Sequence, residues 1–381
     1  MLEEQHNRVK KFISTYYKIW LCEFIPECRW EILNKARNVI YPINLTFGIY
    51  CMLWHFFFQM NDYGYDLALT VIYFFGSYQC YMVYFEIMII RREKIFGMLE
   101  FFDGFITSTE AWISDIRKKH LLVNTRLGLQ WTRIFLLFIT FVGVSVTVFH
   151  MFITNYTAPM LFIIPGIPED SWFFYPVNII YGIFLYFSIL IYITAADAVV
   201  MIMVLYFRSE FNSLSELSSQ MDDPVMAKKL GPYILKTLYK NHNVALVKIK
   251  ELTQSFWHLY FHKLFAMMIY LCCTLYIFQS LTSTIFVAVL IVGAMTSQIF
   301  ILCFFGQVIK NSSEGFYEAF YLTKWYEMNL SEQKTYLIML MNLQKDVTIE
   351  TFGFGSISIY TFVQICKAAG TYAAVLYTVL N

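Results

Sequence analysis

Charge is scarce in this sequence. Asp, Glu, Lys and Arg make up 14% of its 381 residues, against roughly 25% in ordinary soluble domains. So few charged groups could not cover a soluble domain of this length, and hydrophobic residues reach 58%. The chain reads as a polytopic membrane protein. A formal net charge of +1, with no basic patch, predicts no nucleic-acid partner. Catalytic signatures are missing as well: there is no phosphate loop, no nucleophile elbow and no HExxH. His258 and His262 in "HLYFH" have the spacing of a metal pair, but His6, His55, His120, His150 and His242 are scattered. No metal centre, no cofactor and no enzymatic activity are expected. No cleavable signal is visible, because the first 37 residues are mixed and charged.

Apolar runs are plentiful. Spans are expected near 38–60, 66–90, 134–154, 177–206, 262–281, 284–306 and 352–380, each long enough for the ~30 Å hydrocarbon core. The stretch Leu264–Gly306 has no charged residue. As a single helix it would be ~64 Å long, so it is divided into two spans turning at "QSLTST". The fold expected is all-α, with seven transmembrane helices.

Lys and Arg set the direction. Seven lie before the first span, eight between Arg91 and Arg133, eight between Arg208 and Lys263, and four at Lys310, Lys324, Lys334 and Lys345. The connections 61–65, 155–176 and 282–283 hold none. Positive loops stay cytoplasmic, so the amino terminus is expected inside and the carboxyl terminus outside. Seven helices in that orientation exclude a G-protein-coupled receptor. The organisation expected is a cytosolic segment 1–37, spans one to four over 38–206 with an extracellular loop 155–176, a cytosolic helical segment 207–262, spans five and six over 263–306, cytosolic anchor helices 307–351, and a last helix 352–381. Of the sequons at Asn44, Asn155, Asn311 and Asn329, Asn155 falls in an exterior loop clear of the membrane and is the expected glycosylation acceptor. All eight cysteines fall in spans or in the cytosol and read as reduced, structural thiols.

The cytosolic segments carry helical stripes. Tyr233, Leu235, Leu238, Leu246, Ile249, Leu252 and Phe256 form one. "DDP" at 222–224 and Gly231–Pro232 are expected to break helices, "SSEG" at 312–315 to open one, and Ser331 to start another. These stripes either pack on each other or form a platform for partners. Within spans, Glu86, Asp197 and Lys367 are charged. Glu86 is near the inner interface. Asp197 and Lys367 either pair with each other or leave Lys367 facing a water-filled vestibule.

From Gln298 a recognisable pattern begins. "QIFILCFFGQVIKNSSEGFYEAFYLTKWYEM" resembles the sixth-span signature of insect odorant receptors, with Cys303, Gly306, Gln307, Ser312, Ser313, Ala319, Tyr321, Trp325 and Tyr326 at the matching positions. "FGFGSISIYTFVQICKAAGTYAAVLYTVL" is similar to their last helix, and "FIIPGIPEDSWFFYP" to their proline-rich outer loop. Gustatory receptors end in Thr-Tyr, five hydrophobic residues and Gln-Phe; here Thr378–Val379 replaces Gln-Phe, which favours the odorant branch. The compact 207–262 connection resembles an odour-tuning subunit rather than the longer co-receptor. The resemblance implies a heterotetrameric ligand-gated cation channel made with the olfactory co-receptor, in the dendritic plasma membrane of olfactory sensory neurons. Its partners would be that co-receptor, membrane lipid and a small volatile odorant. The last helix would line the pore, with Val375 and Val379 at the gate and Tyr372 and Lys367 along it. The odorant site would lie in the outer half of the membrane among Tyr73, Phe74, Ser145, Phe149, Tyr181, Leu185, Tyr276 and Gln279. A homomeric gustatory-type channel and a multi-span membrane enzyme are the competing readings.

Overall fold

The computed structural model describes residues 2–23, 26, 31, 34, 37–59, 63–107, 111–156, 162–280 and 285–380. For 63–66, 87–88, 111–112, 278–280, 285–288 and 380 it describes the backbone alone. Among the described residues the chain is nearly all helix: α1 (Leu2–Trp20), α2 (Ile40–Phe58), α3 (Tyr63–Val83), α4 (Arg92–Thr107), α5 (Ala111–Thr154), α6 (Phe174–Ser219), α7 (Pro224–Ser280), α8 (Ile285–Tyr321), α9 (Leu330–Leu343) and α10 (Ile359–Leu380). A π-helical turn, Tyr84–Ile90, prolongs α3. Six of these helices (α3, α5, α6, α7, α8 and α10) are long and apolar enough to cross a membrane. The first expected span, α2, has 19 residues, ~28 Å of helix, with Asn44, His55, Tyr41 and Tyr50 lowering its apolar character.

Helix lengths explain the architecture. α5 has 44 residues, α6 46 and α7 57, which is ~66, ~69 and ~86 Å. Each exceeds the ~30 Å hydrocarbon core and must project well beyond it. The spans continue as unbroken helical rods well past the length a bilayer needs. At the centre is α6, buried without interruption from Tyr192 to Phe207. A helix apolar on every side can only be covered on every side, and α5 and α8 supply most of that cover.

Two buried ion pairs fasten the rods. Arg117 of α5 grips Glu210 of α6 with Nε 3.0 Å from Oε2 and Nη2 2.5 Å from Oε1; the guanidinium also lies 4.2 Å from the Phe105 ring. Removing one partner of such a pair strands a buried charge, which is far costlier than never having had the pair. The second pair corrects the sequence expectation: Asp197 is bound by Lys263 of α7, not by Lys367. In the sequence Lys263 read as the last charge of a loop, but α7 runs through it and lays it against Asp197 of α6. Glu86 is likewise accounted for, 3.4 Å from Arg91.

Several local expectations give way to packing. Pro232 sits inside α7 rather than ending a helix. The lost hydrogen bond costs about 3 kcal/mol, but buried Ala227, Ile234, Leu235 and Leu238 hold the helix on both sides of it. Tyr233 is off that stripe and 72% exposed. "SSEG" opens nothing, since α8 runs through it with Ser312 Oγ donating to the Val308 carbonyl. The start of α9 is capped by Asn329, whose partner in the capping box is Glu332. The turn between α7 and α8, at 281–284, lies outside the described residues.

The expected last span begins late. Residues Glu350–Thr351 and Gly355–Ser356 form a small antiparallel hairpin, turned through Gly353 and Gly355 at φ +77° and +69°. Thr351 Oγ1 donates to the Trp257 carbonyl of α7 at 2.9 Å. On the other side, α8 approaches through Gly306. A Cβ there would stand 2.2 Å from the Ile357 carbonyl oxygen, a backbone atom that cannot step aside. Gly306→Ala should therefore push α8 off the root of α10 and sharply lower the yield of folded protein, measured as the monodisperse fraction of the detergent-solubilised chain.

Candidate functional site

The face of α10 decides what this helix can do. Ile365, Ala369 and Ala373 are buried, in steps of four, and only 22% of its most apolar window is buried, against 83% for α6. On the opposite face lie Gln364, Lys367, Thr371, Val375 and Thr378, all exposed. Steps of 3, 4, 4 and 3 keep these five side chains within one stripe, at ~100° per residue. A stripe with an amide, an ammonium and two hydroxyls is a poor surface for hydrocarbon. Lys367 has no ion-pair partner among the described residues.

The four expected pore residues are thus distributed as follows. Val375 is on the stripe and 52% exposed; Val379 lies beside it at 74%. Tyr372 is 57% exposed but turned toward α3 and α7. There it joins Val375, Leu376, Ala68, Val71 and Tyr276 around an apolar cleft of about 350 Å³. The sequence missed Gln364, Thr371 and Thr378, although their spacing from Val375 was readable as helical periodicity.

The eight expected ligand residues do not form one group. Three converge. Tyr73 of α3 and Leu185 of α6 both press on Gly48 of α2, where a Cβ would lie 1.9 Å from Tyr73 Oη and 2.8 Å from Leu185 Cδ2. Tyr181 closes the same region, its ring 5.4 Å from Phe47 and its hydroxyl donating to the Asn44 carbonyl at 3.4 Å. Phe162, from the loop after α5, caps the cluster. Its ring meets Tyr73 edge-on at 5.0 Å and lies 5.6 Å from His55. Tyr73 Oη and Ser77 Oγ, one turn apart, are buried without a hydrogen bond of normal geometry. The cluster is closely packed, with Tyr73, Leu185 and Phe162 all buried, and it places two hydroxyls among aromatic rings.

The other five lie elsewhere. Tyr276 belongs to the cleft beside α10. Phe74 points outward and is 48% exposed. Ser145 and Phe149 are half-buried on α5. The side chain of Gln279 is outside the described residues. Gly48, His55 and Phe162 were not anticipated; a glycine gives no apolar signal, and loop residue Phe162 reaches the cluster only through the fold.

The two histidines of "HLYFH" are separately engaged. His262 Nδ1 is 3.0 Å from Tyr78 Oη, and the His258 ring lies 3.3 Å from that of Trp257. No group of three or more His, Cys, Asp or Glu side chains gathers among the described residues.

A family model described as 7tm odorant receptor matches residues 59–370. The chain belongs to the 7tm odorant receptor family. The resemblance found in "QIFILCFFGQ" and the last helix thus extends across most of the receptor, and the family is one of receptors rather than enzymes. Among solved structures, the insect olfactory receptor OR5 from Machilis hrabei in complex with eugenol superposes with a TM-score of 0.73 at 14% identity, over 98% of this chain and 99% of that one. A second structure of that receptor gives 0.71 at 12% identity, with the same coverage. At such identities the likeness is one of fold. No curated protein matches the receptor by sequence.

Proposed function

We propose that this receptor is the odorant-binding subunit of a heteromeric ligand-gated cation channel. It would assemble with the olfactory co-receptor in the plasma membrane of olfactory sensory neuron dendrites. The observation that carries this reading is the exposed stripe Gln364–Lys367–Thr371–Val375–Thr378 on a helix of spanning length. Lipid penalises that surface, and a water-filled path between subunits does not. Assembly is supported by the apolar surface left open at the cytosolic end, including Leu330, Ile338 and Met341 of α9 and Leu322 after α8, each 59–73% exposed. The ligand is a small volatile held by Tyr73, Tyr181, Leu185 and Phe162, much as the OR5 complex holds eugenol somewhere in the same fold.

The test is co-expression with the co-receptor in a cell that lacks both, with odour-evoked cation current recorded. Current from this chain alone would point to a homomeric channel instead, and no current in either case would overturn the reading. Orientation has its own test. Asn155 is exposed at φ +46° just past the end of α5, a backbone position that Asn tolerates. With the termini placed as proposed, Asn155→Gln should abolish a glycosidase-sensitive shift of the receptor band on a gel.

A further inference from the structure

A second open cleft lies away from α10. It measures about 680 Å³ and runs between α1, α5 and α6. α1 lies antiparallel to α6 in a fixed register. His6 Nδ1 is 2.7 Å from Tyr206 Oη, and fourteen residues later Trp20 packs on Tyr192, fourteen residues back, with ring centroids 4.0 Å apart. The matched spacing means that α1 climbs α6 for ~21 Å, buried through Val9, Ile13 and Tyr17. Its outer flank forms one wall of the cleft.

The chemistry of the walls is graded. Arg8, Lys11 and Arg133 line the cleft, and no acidic residue does. Arg8 is shared with Glu4 at 2.7 Å. Lys11 and Arg133 are exposed and have no ion-pair partner among the described residues. From Arg133 along α5 the lining turns apolar, through Leu136, Ile139 and Phe187. Beyond Ile139 the cleft closes where Gly143 lets Leu190 press on α5, at 2.9 Å from an ideal Cβ.

A cationic mouth leading into an apolar trough is complementary to a single kind of molecule, a lipid with an anionic head. We infer that this cleft binds an anionic phospholipid of the cytoplasmic leaflet, its phosphate between Lys11 and Arg133 and one acyl chain along Leu136, Ile139 and Phe187. The leaflet rests on the orientation proposed above; the binding does not. Such a lipid ties α1 to α5 and α6, the two helices that also carry the buried Arg117–Glu210 pair.

Purified full-length receptor in nanodiscs of phosphatidylcholine, with or without phosphatidylserine, tests this. Phosphatidylserine should raise the thermal unfolding midpoint of the wild type and remain bound on extraction, counted by native mass spectrometry. Lys11→Gln with Arg133→Gln should weaken retention roughly 10- to 30-fold and abolish the added stability, while unfolding in phosphatidylcholine alone stays at the wild-type value. Leu136→Trp should lower retention with both charges intact. Equal retention by the double variant would overturn the site, and so would equal stabilisation by inorganic phosphate in lipid-free detergent. Labelling of Glu3→Cys by an impermeant thiol reagent applied outside intact cells would overturn the leaflet, leaving lipid retention as a separate result.

Discussion

A channel carrying Val375→Ser should pass current before any odorant is added. Val375 is the one aliphatic side chain on the stripe that also holds Gln364, Lys367, Thr371 and Thr378. In a closed conduit, a ring of such side chains excludes water, and ions stop where water stops. Fully burying a valine is worth about 1.5–3 kcal/mol, and serine removes most of that incentive to remain dry. Each 1.4 kcal/mol is tenfold in a closed–open equilibrium, so ligand-independent current should rise at least ~10-fold relative to the evoked maximum. Val379→Ser should act in the same direction and more weakly, since Val379 lies to one side of the stripe. Lys367→Glu should raise relative conductance for cations by replacing a repelling charge with an attracting one. Whole-cell recording with the co-receptor measures all three. Unchanged basal current in Val375→Ser together with unchanged permeability in Lys367→Glu would mean that this face of α10 touches lipid.

On the proposed reading, α3 is the route from guest to gate. One face of this helix carries Tyr73 into the cluster with Gly48 and Leu185, and another carries Ala68 and Val71 into the cleft with Tyr276, Leu376 and Val375. A guest that shifts Tyr73 moves a helix that already touches α10. The buried face of α10 is the narrow stripe of Ile365, Ala369 and Ala373, so on this reading its displacement disturbs few core side chains. The guest need only favour the open arrangement by a few kcal/mol per site to shift the population.

The sequence disclosed the parts of this fold that depend on solvent. Scarce charge and long apolar runs identified the spans, because hydrocarbon selects for both. The continuity of α7 through Pro232 was hidden, since local propensity opposes it and only tertiary packing on Leu235 and Leu238 overrides it. The partner of Asp197 was hidden for a similar reason: Lys263 read as a loop charge, and only the packing of α7 against α6 brings it to the aspartate. The hairpin at 350–356 is two residues per strand, too short for any alternation pattern, and its two positive-φ glycines were absorbed into an apolar run. The candidate gate came from the resemblance in the last helix; helical periodicity adds only which residues share the face of Val375. The candidate ligand cluster was only partly legible. Tyr73, Tyr181 and Leu185 are large and apolar, but what brings them together is the missing side chain of Gly48.

Gly48→Ala should consequently cost most of the odorant response while leaving the closed channel intact. The added methyl would stand 1.9 Å from Tyr73 Oη and 2.8 Å from Leu185 Cδ2. The Tyr73 ring is rigid and 4% exposed, so it must swing toward Phe162 and reshape the walls presented to the guest. Overpacking of this kind costs typically 1–3 kcal/mol, enough to raise the half-activating odorant concentration by ~10- to 100-fold. The clash is mostly with a single atom. Tyr73→Phe deletes that oxygen, and the next ring atom, Tyr73 Cζ, is 3.1 Å from the ideal Cβ position. The double variant Gly48→Ala/Tyr73→Phe should recover sensitivity relative to Gly48→Ala alone, even if Tyr73→Phe by itself weakens the response by losing a hydroxyl. Such non-additivity is the signature of two groups in contact. Dose–response curves for the four receptors of this cycle, normalised to surface expression, decide it. If the two substitutions add, or if Gly48→Ala leaves sensitivity unchanged, the guest does not sit between α2, α3 and α6.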